Sequence, residues 1–510
     1  MALFSAQQLR SVDIRAPAPR EPADTPPSHD LLHALAAEGA RPAYSRVVFV
    51  GIVRTIEFSL LLMSGLGLYL FHVAPQIGPR PVYYFLSVAV ALLAVLTFQT
   101  LQSYTLPTFR RPIRQIFRMC GGWLAIFAVL LATVFFAKLE YEISRLWLAG
   151  WFFLGLLLLT IERFALARVV GMLGRSGRLE RRVVVVGGGD LARELLRDLA
   201  KADPAEVRLL GVFDDRGDAR SPGTVEGFAK LGTVDDLVEF ARLTRIDLAI
   251  FALPISAEQR ILEMLRKLWV LPIDVRLAAH ANRLRLRPHS YSYVGSAPML
   301  DVFDKPLADW DVVIKLMFDK VVGTLALIAL SPILLATEIA IKLDSKGPIL
   351  FKQKRYGFNN ELVEVFKFRS MYADKLDPTA SKLVTRDDPR VTRVGRFIRK
   401  TSIDELPQLF NVVFKGDLSL VGPRPHAIHA KAENRQYDEV VDGYFARHRV
   451  KPGITGWAQV HGWRGETDTQ EKIQQRVDHD LHYIENWSLW LDLYILAITP
   501  ASLIKTTNAF

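Results

Sequence analysis

From residue 321 to residue 336 the sequence reads Val321-Val-Gly-Thr-Leu-Ala-Leu-Ile-Ala-Leu-Ser331-Pro332-Ile-Leu-Leu-Ala336, the centre of an apolar run over about residues 311–342. A helix of ~20 apolar residues is long enough to cross a bilayer. Pro332 removes one backbone hydrogen bond and kinks such a helix. The carbonyl that it frees needs a partner in lipid, and the hydroxyl of Ser331 is placed to satisfy the backbone there.

The charge after this run helps to decide between a kinked helix that spans the membrane and a re-entrant helix that returns to the same face. A spanning helix would put the residues after 342 outside the cell. Those residues are rich in Lys and Arg, and positive charge marks the cytoplasmic side of a membrane. We therefore expect a re-entrant helix over 311–342, broken at Ser331 and Pro332, with a spanning helix as the alternative.

Four further apolar stretches precede this run, at about residues 47–71, 82–104, 116–137 and 146–170. Each is long enough to form a transmembrane helix. The loop at 72–81 carries only Arg80, whereas arginines cluster at 105–118 and after the fourth stretch. This asymmetry predicts four transmembrane helices over 46–172 in the bacterial inner membrane, with the chain after residue 175 in the cytoplasm.

Composition supports a chain that is part membrane protein and part soluble protein. The 510 residues are 50% hydrophobic, with a mean hydropathy of +0.18 and a formal net charge of +11. A basic chain can bind nucleic acid, anionic lipid or phosphorylated substrates; the apolar spans favour lipid and phosphate, and we expect no nucleic acid. Residues 1–45 are rich in Pro, Ala and charge, which predicts a disordered cytoplasmic tail.

Residues 180–300 show the pattern of a parallel sheet. Strand candidates at 182–186, 209–213 and 247–253 alternate with helix candidates, which predicts a Rossmann-like α/β domain. Gly187 and Gly189 after the first strand, with Asp214 after the second, match a dinucleotide fingerprint. The same glycines also suit a tight turn, and no Tyr-x-x-x-Lys pair is evident, so we favour a structural or regulatory role over catalysis on NAD.

The C-terminal part contains Ser402-Ile-Asp404-Glu405-Leu-Pro407. Proline is tolerated in the first turn of a helix, so Pro407 predicts a helix N-terminus near 402–406. The N–H groups and the dipole at that end favour anions, both the Asp404 carboxylate and an incoming phosphate. A carboxylate can attack phosphorus and form an acyl-phosphate. The alternative is a capping box, for which Ser402 and Glu405 have the spacing.

Basic residues surround this segment in the sequence. A run from Arg386 to Lys400 precedes it, and Pro423-Arg424-Pro425 follows it. Arginines there would hold a pyrophosphate and keep Asp404 ionised, although part of the run could instead rest on lipid headgroups. A divalent cation would neutralise the diphosphate, and carboxylate, phosphate and water ligands suit Mg²⁺.

Five blocks of the C-terminal part resemble the polyprenyl-phosphate hexose-1-phosphate transferases, the monotopic phosphoglycosyl transferases. The blocks are Ser331-Pro332, Lys367-Phe-Arg369-Ser-Met371, Ser402-Ile-Asp404-Glu405-Leu-Pro407-Gln408, Gly422-Pro-Arg424-Pro and Lys451-Pro-Gly-Ile-Thr-Gly-Trp457. The resemblance implies a membrane α-helical bundle, a cytoplasmic Rossmann-like domain and an α+β monotopic catalytic domain, residues 308–510, with a re-entrant helix.

The resemblance also implies the roles of individual residues. Asp404 would be the nucleophile, Glu405 would assist it, and both would bind Mg²⁺. The substrate phosphates would be bound by Lys367, Arg369, Arg399 and Arg424.

The implied reaction is ping-pong: UMP leaves a UDP-sugar first, and undecaprenyl phosphate then attacks the sugar-phosphoryl enzyme. Residues 462–469 are similar to members that use UDP-glucose and initiate exopolysaccharide or capsule synthesis. UDP-galactose, a UDP-N-acetylhexosamine and a non-catalytic nucleotide-sensing scaffold stay open as alternatives, and so does a homo-oligomer.

Overall fold

A computed structural model describes residues 44–138, 142–201, 207–216, 223–254, 257–279, 292–294, 297–373, 388–426, 431–432, 435–437, 441, 443–463 and 469–505. The chain divides into two compact units, of which one is Arg41–Glu180 and the other contains Arg181–Phe510. The predicted tail, residues 1–45, lies outside the described residues except for its last two.

The unit before residue 181 is a bundle of long helices. They are α1 (Arg46–Leu68, continued by a π-turn and a short helix to Ile77), α2 (Pro81–Thr100), α3 (Pro112–Phe136) and α4 (Arg145–Arg175). Tryptophans of α4 join it to α1: the indole N–H of Trp147 donates to the carbonyl of Gly65 over 2.8 Å, and that of Trp151 to Leu61 over 3.0 Å. Small residues such as Gly65 let the helices approach closely.

Four helices in the described part of the chain are long and apolar enough to cross a membrane by length and composition: Arg46–Ile77, Pro81–Thr100, Pro112–Phe136 and Asp309–Asp344. Three of the four predicted transmembrane stretches are among them. The fourth prediction, α4, is a continuous helix in the bundle but is not one of the four. It carries Arg163, which is buried and pairs with the buried Glu57 of α1, as charges inside a helix bundle in lipid require.

The middle part of the chain is a sheet between helices. Its strands are β1 (Arg181–Val186), β2 (Val207–Phe213), β3 (Thr224–Val225), β4 (Phe228–Gly232), β5 (Leu248–Phe251), β6 (Asp274–Ala278), β7 (Ser292–Val294) and β8 (Ala297–Phe303), and its helices are α5 (Asp190–Ala200), α6 (Val234–Leu243) and α7 (Glu258–Leu268). The strand order is β3-β4-β2-β1-β5-β6-β8-β7.

The five central strands of this sheet run parallel. The three strands predicted from the sequence are β1, β2 and β5, which lie side by side in the order β2-β1-β5. Residues 183–186 of β1 are all fully buried, as expected for a strand covered on both faces. Both edges are antiparallel, a feature that the repeating strand–helix pattern does not contain.

The C-terminal part combines long helices with small sheets. It contains α8 (Asp309–Asp344), the hairpin β9 (Leu350–Tyr356) and β10 (Leu362–Phe368), α9 (Arg393–Lys400), β11 (Ser419–Val421), β12 (Lys431–Ala432), β13 (Arg435–Gln436), β14 (Gly453–Thr455), α10 (Gln470–Glu485) and α11 (Leu489–Lys505). Pro332 lies inside α8. The predicted break at Ser331 and Pro332 therefore does not end the helix.

The middle part packs against the segment Tyr444–Arg449 of the C-terminal part. The guanidinium of Arg242 lies 5.1 Å from the ring centroid of Phe445. Gly443 has a positive φ of 71°, and a Cβ there would lie 2.9 Å from the ring of Trp269. A residue with a side chain would therefore not fit at this contact without a shift.

Candidate active site

The N-terminal half of α8 holds the strand that leads to Arg424. The Nζ of Lys315 donates to the carbonyl of Val421 over 3.0 Å and to the carboxylate of Asp492 over 2.6 Å. The carboxylate of Asp319 accepts from the backbone N–H of Leu420 over 3.1 Å. Because β11 ends at Val421, these contacts fix the point from which Gly422-Pro423-Arg424 begins.

The C-terminal half of α8 holds the other side of the site. Leu334 and Ile341 pack with Phe368 of β10 and Ile398 of α9. The carboxylate of Asp344 accepts from the N–H of Val394, in the first turn of α9, over 3.1 Å. An apolar helix therefore supports both the Arg424 loop and the helix that precedes Asp404.

Arg369, which is predicted to bind a substrate phosphate, belongs to this support. Its guanidinium is buried and donates to the carbonyls of Ser345 and Lys346, just beyond the end of α8. Alternation along a strand would place Arg369 on the same side as Lys367. Arg369 follows β10 directly and its N–H still donates to the carbonyl of Ile349 over 2.8 Å, but its guanidinium is bound by the carbonyls of Ser345 and Lys346, whereas Lys367 binds Glu405.

The predicted helix start after Ser402 exists, but without a capping box. Ser402 has a left-handed φ of 60° and makes no side-chain capping hydrogen bond, and a short 3₁₀-helix spans Ile403–Glu405. The N–H of Glu405 bonds to the Ser402 carbonyl over 3.2 Å. The Glu405 carboxylate turns away from the backbone N–H groups because two cations bind it.

Glu405 lies between Lys367 and Arg424. Lys367 Nζ donates to its Oε1 over 2.8 Å, and Arg424 donates to both carboxylate oxygens, over 3.1 Å at Oε2. Burial by itself raises the pKa of Glu405, but the charges and hydrogen bonds of Arg424 and Lys367 outweigh it and hold the pKa well below its usual range. Glu405 is therefore ionised and fixed.

Asp404 differs from its neighbour in both partners and pKa. Its carboxylate is half-buried, and among the described residues it has no hydrogen-bond or ion-pair partner. Burial raises its pKa to about 6; Lys367 opposes this shift, Glu405 adds to it, and Arg399 and Arg424 oppose it. At neutral pH the group is mainly ionised, and it is more basic than an ordinary aspartate. This combination suits a nucleophile.

Three of the four predicted phosphate-binding residues are therefore close enough to act on Asp404, namely Lys367, Arg399 and Arg424. The exposed residues Arg393, Arg396, Phe397 and Lys400 lie on the outer face of α9. Such a face, cationic with one large apolar side chain, is suited to a membrane surface.

The Pro-Arg-Pro turn is held by two arginines that were not predicted as site residues, the buried Arg447 and the half-buried Arg355. Arg447 donates to the carbonyl of Arg424 over 2.8 Å and pairs with Asp480. Arg355 donates to the carbonyl of Pro425 over 3.4 Å, and burial lowers its pKa to about 10. Arginines this far apart in sequence give no local signal, since only the fold brings them together.

The two carboxylates also differ as metal ligands. The described residues contain no cluster of three or more His, Cys, Asp or Glu side chains able to hold a metal. Both oxygens of Glu405 accept from cations, so Glu405 does not fit the ligand role predicted for it. Asp404 does fit, since Mg²⁺ is often held by one carboxylate with substrate phosphates and water.

Comparison with known proteins matches this site to a family. A family model described as bacterial sugar transferase covers residues 310–506. A relative from Xanthomonas campestris pv. campestris, named UDP-glucose:undecaprenyl-phosphate glucose-1-phosphate transferase, is 32% identical over 90% of this chain and 94% of its own length. The chain belongs to the bacterial sugar transferase family.

Two other relatives of this sugar transferase differ in the extent of the match. One from Komagataeibacter xylinus, named undecaprenyl-phosphate glucose phosphotransferase, is 41% identical over 69% of this chain and 64% of its own length. One from Aeromonas hydrophila, named as a UDP-N-acetylgalactosamine-undecaprenyl-phosphate N-acetylgalactosaminephosphotransferase, is 43% identical over 38% of this chain and 45% of its own length. Like them, this sugar transferase is an enzyme.

A second family model, described as a CoA-binding domain, covers residues 99–279 of the sugar transferase. The glycine turn of its sheet is closed by the chain itself. Gly187 has a positive φ of 110°, and the N–H of Gly188 donates to Asp214 over 2.7 Å. Arg216 binds the same carboxylate through Nε and Nη2, the latter over 2.8 Å. The acidic residue of the predicted fingerprint, with Gly187 and Gly189, therefore serves the turn.

Proposed function

We propose that this sugar transferase moves glucose-1-phosphate from UDP-glucose to undecaprenyl phosphate, through a covalent intermediate on Asp404. The observation that carries the proposal is the contrast between the two acidic residues. Glu405 is fixed by Lys367 and Arg424, whereas Asp404 is ionised and without a partner among the described residues. The name of the relative that is matched over 94% of its own length favours glucose, and the product would serve exopolysaccharide or capsule synthesis.

In the first half-reaction the diphosphate of the UDP-sugar binds beside Lys367, Arg399 and Arg424, whose charges offset those of the phosphates. An oxygen of Asp404 attacks the phosphorus that carries the sugar. The bond from this phosphorus to the bridging oxygen breaks, and the electron pair leaves with UMP. Glu405 stays paired and fixes Lys367 and Arg424 in place.

In the second half-reaction a phosphate oxygen of undecaprenyl phosphate attacks the same phosphorus. The acyl-phosphate bond breaks and Asp404 becomes a free carboxylate again. Mg²⁺, held by Asp404 and the substrate phosphates, would supply further charge neutralisation on the diphosphate. No redox step is needed, which agrees with a closed glycine turn in the middle domain.

The attachment of α8 supports a re-entrant arrangement in the inner membrane, with the catalytic domain in the cytoplasm. Its two halves pack on one polar domain, through Lys315 and Asp319 on one side and Leu334 and Ile341 on the other. A helix that spans the bilayer would have its two ends on opposite sides of the membrane. Between these contacts, Leu325 and Ile328 are exposed apolar residues suited to lipid.

The test is release of UMP by the purified full-length protein with Mg²⁺ and undecaprenyl phosphate. UDP-glucose, UDP-galactose and UDP-N-acetylhexosamines are compared side by side. We expect lipid-dependent UMP release with UDP-glucose. Asp404→Asn should lose on the order of 10³-fold or more of this activity, as removal of a nucleophile does, while keeping the wild-type melting temperature. Turnover near the wild-type rate in that variant would overturn the mechanism.

The name of the relative from Aeromonas hydrophila makes a UDP-N-acetylhexosamine the second candidate substrate. Release of UMP from a UDP-N-acetylhexosamine alone would retain the covalent mechanism and replace the sugar. Absence of release from every UDP-sugar would contradict the proposed function as a whole.

A further inference from the structure

A buried arginine close to the active site has donors that no described residue accepts. Arg476, on α10, is 3% exposed. Its Nε and Nη2 are buried without a hydrogen-bond partner in the described part of the chain. Buried polar groups almost always have partners, and the exceptions call for an explanation, such as a ligand that supplies the acceptor.

The charged neighbours of Arg476 make a buried guanidinium without an acceptor still less favourable. Burial, as the largest cause, and the charges of Arg424 and Arg447 together lower its pKa to about 10. The nearby Asp480 opposes that shift but is hydrogen-bonded to Arg447. A second buried anion, Glu405, is taken by Lys367 and Arg424.

The charged side chains that are buried or half-buried in this region do not balance. The cations are Lys367, Arg355, Arg424, Arg447 and Arg476, and the anions are Asp404, Glu405 and Asp480. Burying an uncompensated charge costs several kcal/mol, so a protein keeps such an excess where an anionic ligand will neutralise it. A phosphoryl group, which presents several acceptor oxygens to a planar guanidinium, is the chemistry that fits.

We propose that Arg476 binds the phosphoryl group that leaves with the nucleotide. This inference rests on the proposed function. The lipid phosphate is tied to the membrane and reaches Asp404 from the side of α8 and α9. The charged groups that act on Arg476 are Arg424, Arg447 and Asp480, and none of them lies on α8 or α9. The nucleotide phosphate comes from solution, so it is the phosphate that can approach Arg476 from the side away from the membrane.

The test measures binding of UMP to the full-length protein in lipid nanodiscs. One buried, charge-assisted guanidinium–phosphate contact is worth about 1.5–3 kcal/mol, which corresponds to about 10- to 150-fold in affinity. We expect Arg476→Gln to lower the affinity for UMP by that factor. Arg476→Lys keeps the positive charge and should lower the affinity less. Binding of undecaprenyl phosphate should stay within about threefold, well below that range.

Arg449→Gln is the matched control. Arg449 is also buried, also has an unpartnered Nε within the described residues, and has a pKa that burial lowers to about 10. However, it donates to the carbonyl of Asp304 over 3.3 Å and lies over the ring of Phe303, in the middle part. We expect UMP to bind this variant as it binds the wild type.

A second measurement separates a ligand contact from a structural one. If Arg476 is an uncompensated charge, Arg476→Gln should melt at the wild-type temperature or above it without ligand, and UMP should no longer raise that temperature. A lower melting temperature with unchanged UMP affinity would overturn the inference. An equal loss of affinity for UMP and for undecaprenyl phosphate would overturn the assignment of Arg476 to the nucleotide phosphate. Failure of UMP to bind the wild type would instead contradict the proposed function.

Discussion

The hydroxyl of Ser331 donates to the carbonyl oxygen of Ile328 over 2.7 Å. In an unbroken helix this carbonyl would accept from the N–H of the residue four positions later, which is Pro332 and has none. Ser331 thus replaces the missing donor within the same turn, and α8 continues through the proline. Ile328 is 65% exposed, so in lipid no water would be present to satisfy the carbonyl instead.

The first prediction concerns this bond. Ser331→Ala should lower the free energy of unfolding by about 1–3 kcal/mol, because it leaves a carbonyl without a partner in lipid. Ser331→Thr keeps a hydroxyl and should behave like the wild type. Pro332→Ala restores the N–H, so adding it to Ser331→Ala should recover most of the loss. Thermal unfolding in nanodiscs measures all four proteins, and equal losses in the single and double variants would refute the assignment.

The second prediction concerns the topology of α8. In a Cys120→Ser background, a cysteine at Lys352, an exposed position on β9, should react with a membrane-impermeant maleimide only after the inner membrane is breached. A cysteine at Gln76, after α1, should react from outside in spheroplasts whose membrane is intact. Labelling of the Lys352 position in such spheroplasts would show that α8 spans the membrane.

The third prediction concerns the buried ion pairs of Glu405. Glu405→Gln leaves Lys367 and Arg424 without their anion, and breaking a buried pair from one side costs about 3 kcal/mol. Removing Arg424 as well should cost less than the sum of the two single changes, because the residual unpaired charge is smaller. Chemical unfolding of the three variants measures the coupling. Strict additivity would mean that Glu405 and Arg424 do not interact in the folded protein.

The fourth prediction separates Arg369 from the phosphate-binding residues. Arg369→Lys cannot reproduce the two bonds to the carbonyls of Ser345 and Lys346, and it should lower stability by about 1–2 kcal/mol. The KM for UDP-glucose should change less than about twofold, since backbone carbonyls already accept from both Nη groups of Arg369. Arg424→Lys is the comparison, with kcat/KM reduced about tenfold or more. A similar loss in both variants would return Arg369 to the substrate site.

Hydrophobic length and spacing determined much of the fold from the sequence alone. Apolar runs predicted three helices that are long enough to cross a membrane and the long helix α8, and the glycine turn after residue 186 predicted the parallel strands β1, β2 and β5. Such patterns reflect local geometry and solvent, so they can be recognised in a linear sequence. The antiparallel edges of the sheet depend on long-range pairing and were not predicted.

The active site divides in the same way. The segment Ser402-Ile-Asp404-Glu405 could be recognised as a candidate site from the sequence. A proline near a helix start and two adjacent carboxylates are local features. Only the tertiary structure decided that Glu405 pairs with Lys367 and Arg424, since those residues lie 38 and 19 positions away in the chain.

Tertiary structure also decided which arginines lie near Asp404. Arg369 lies two residues after Lys367, yet its guanidinium binds the carbonyls beyond α8 whereas Lys367 binds Glu405. Arg355, Arg447 and Arg476 come from separate elements, and packing buries them around one turn. A sequence shows where charge is, but the cost of burying it and the choice of its partner arise only when the chain has folded.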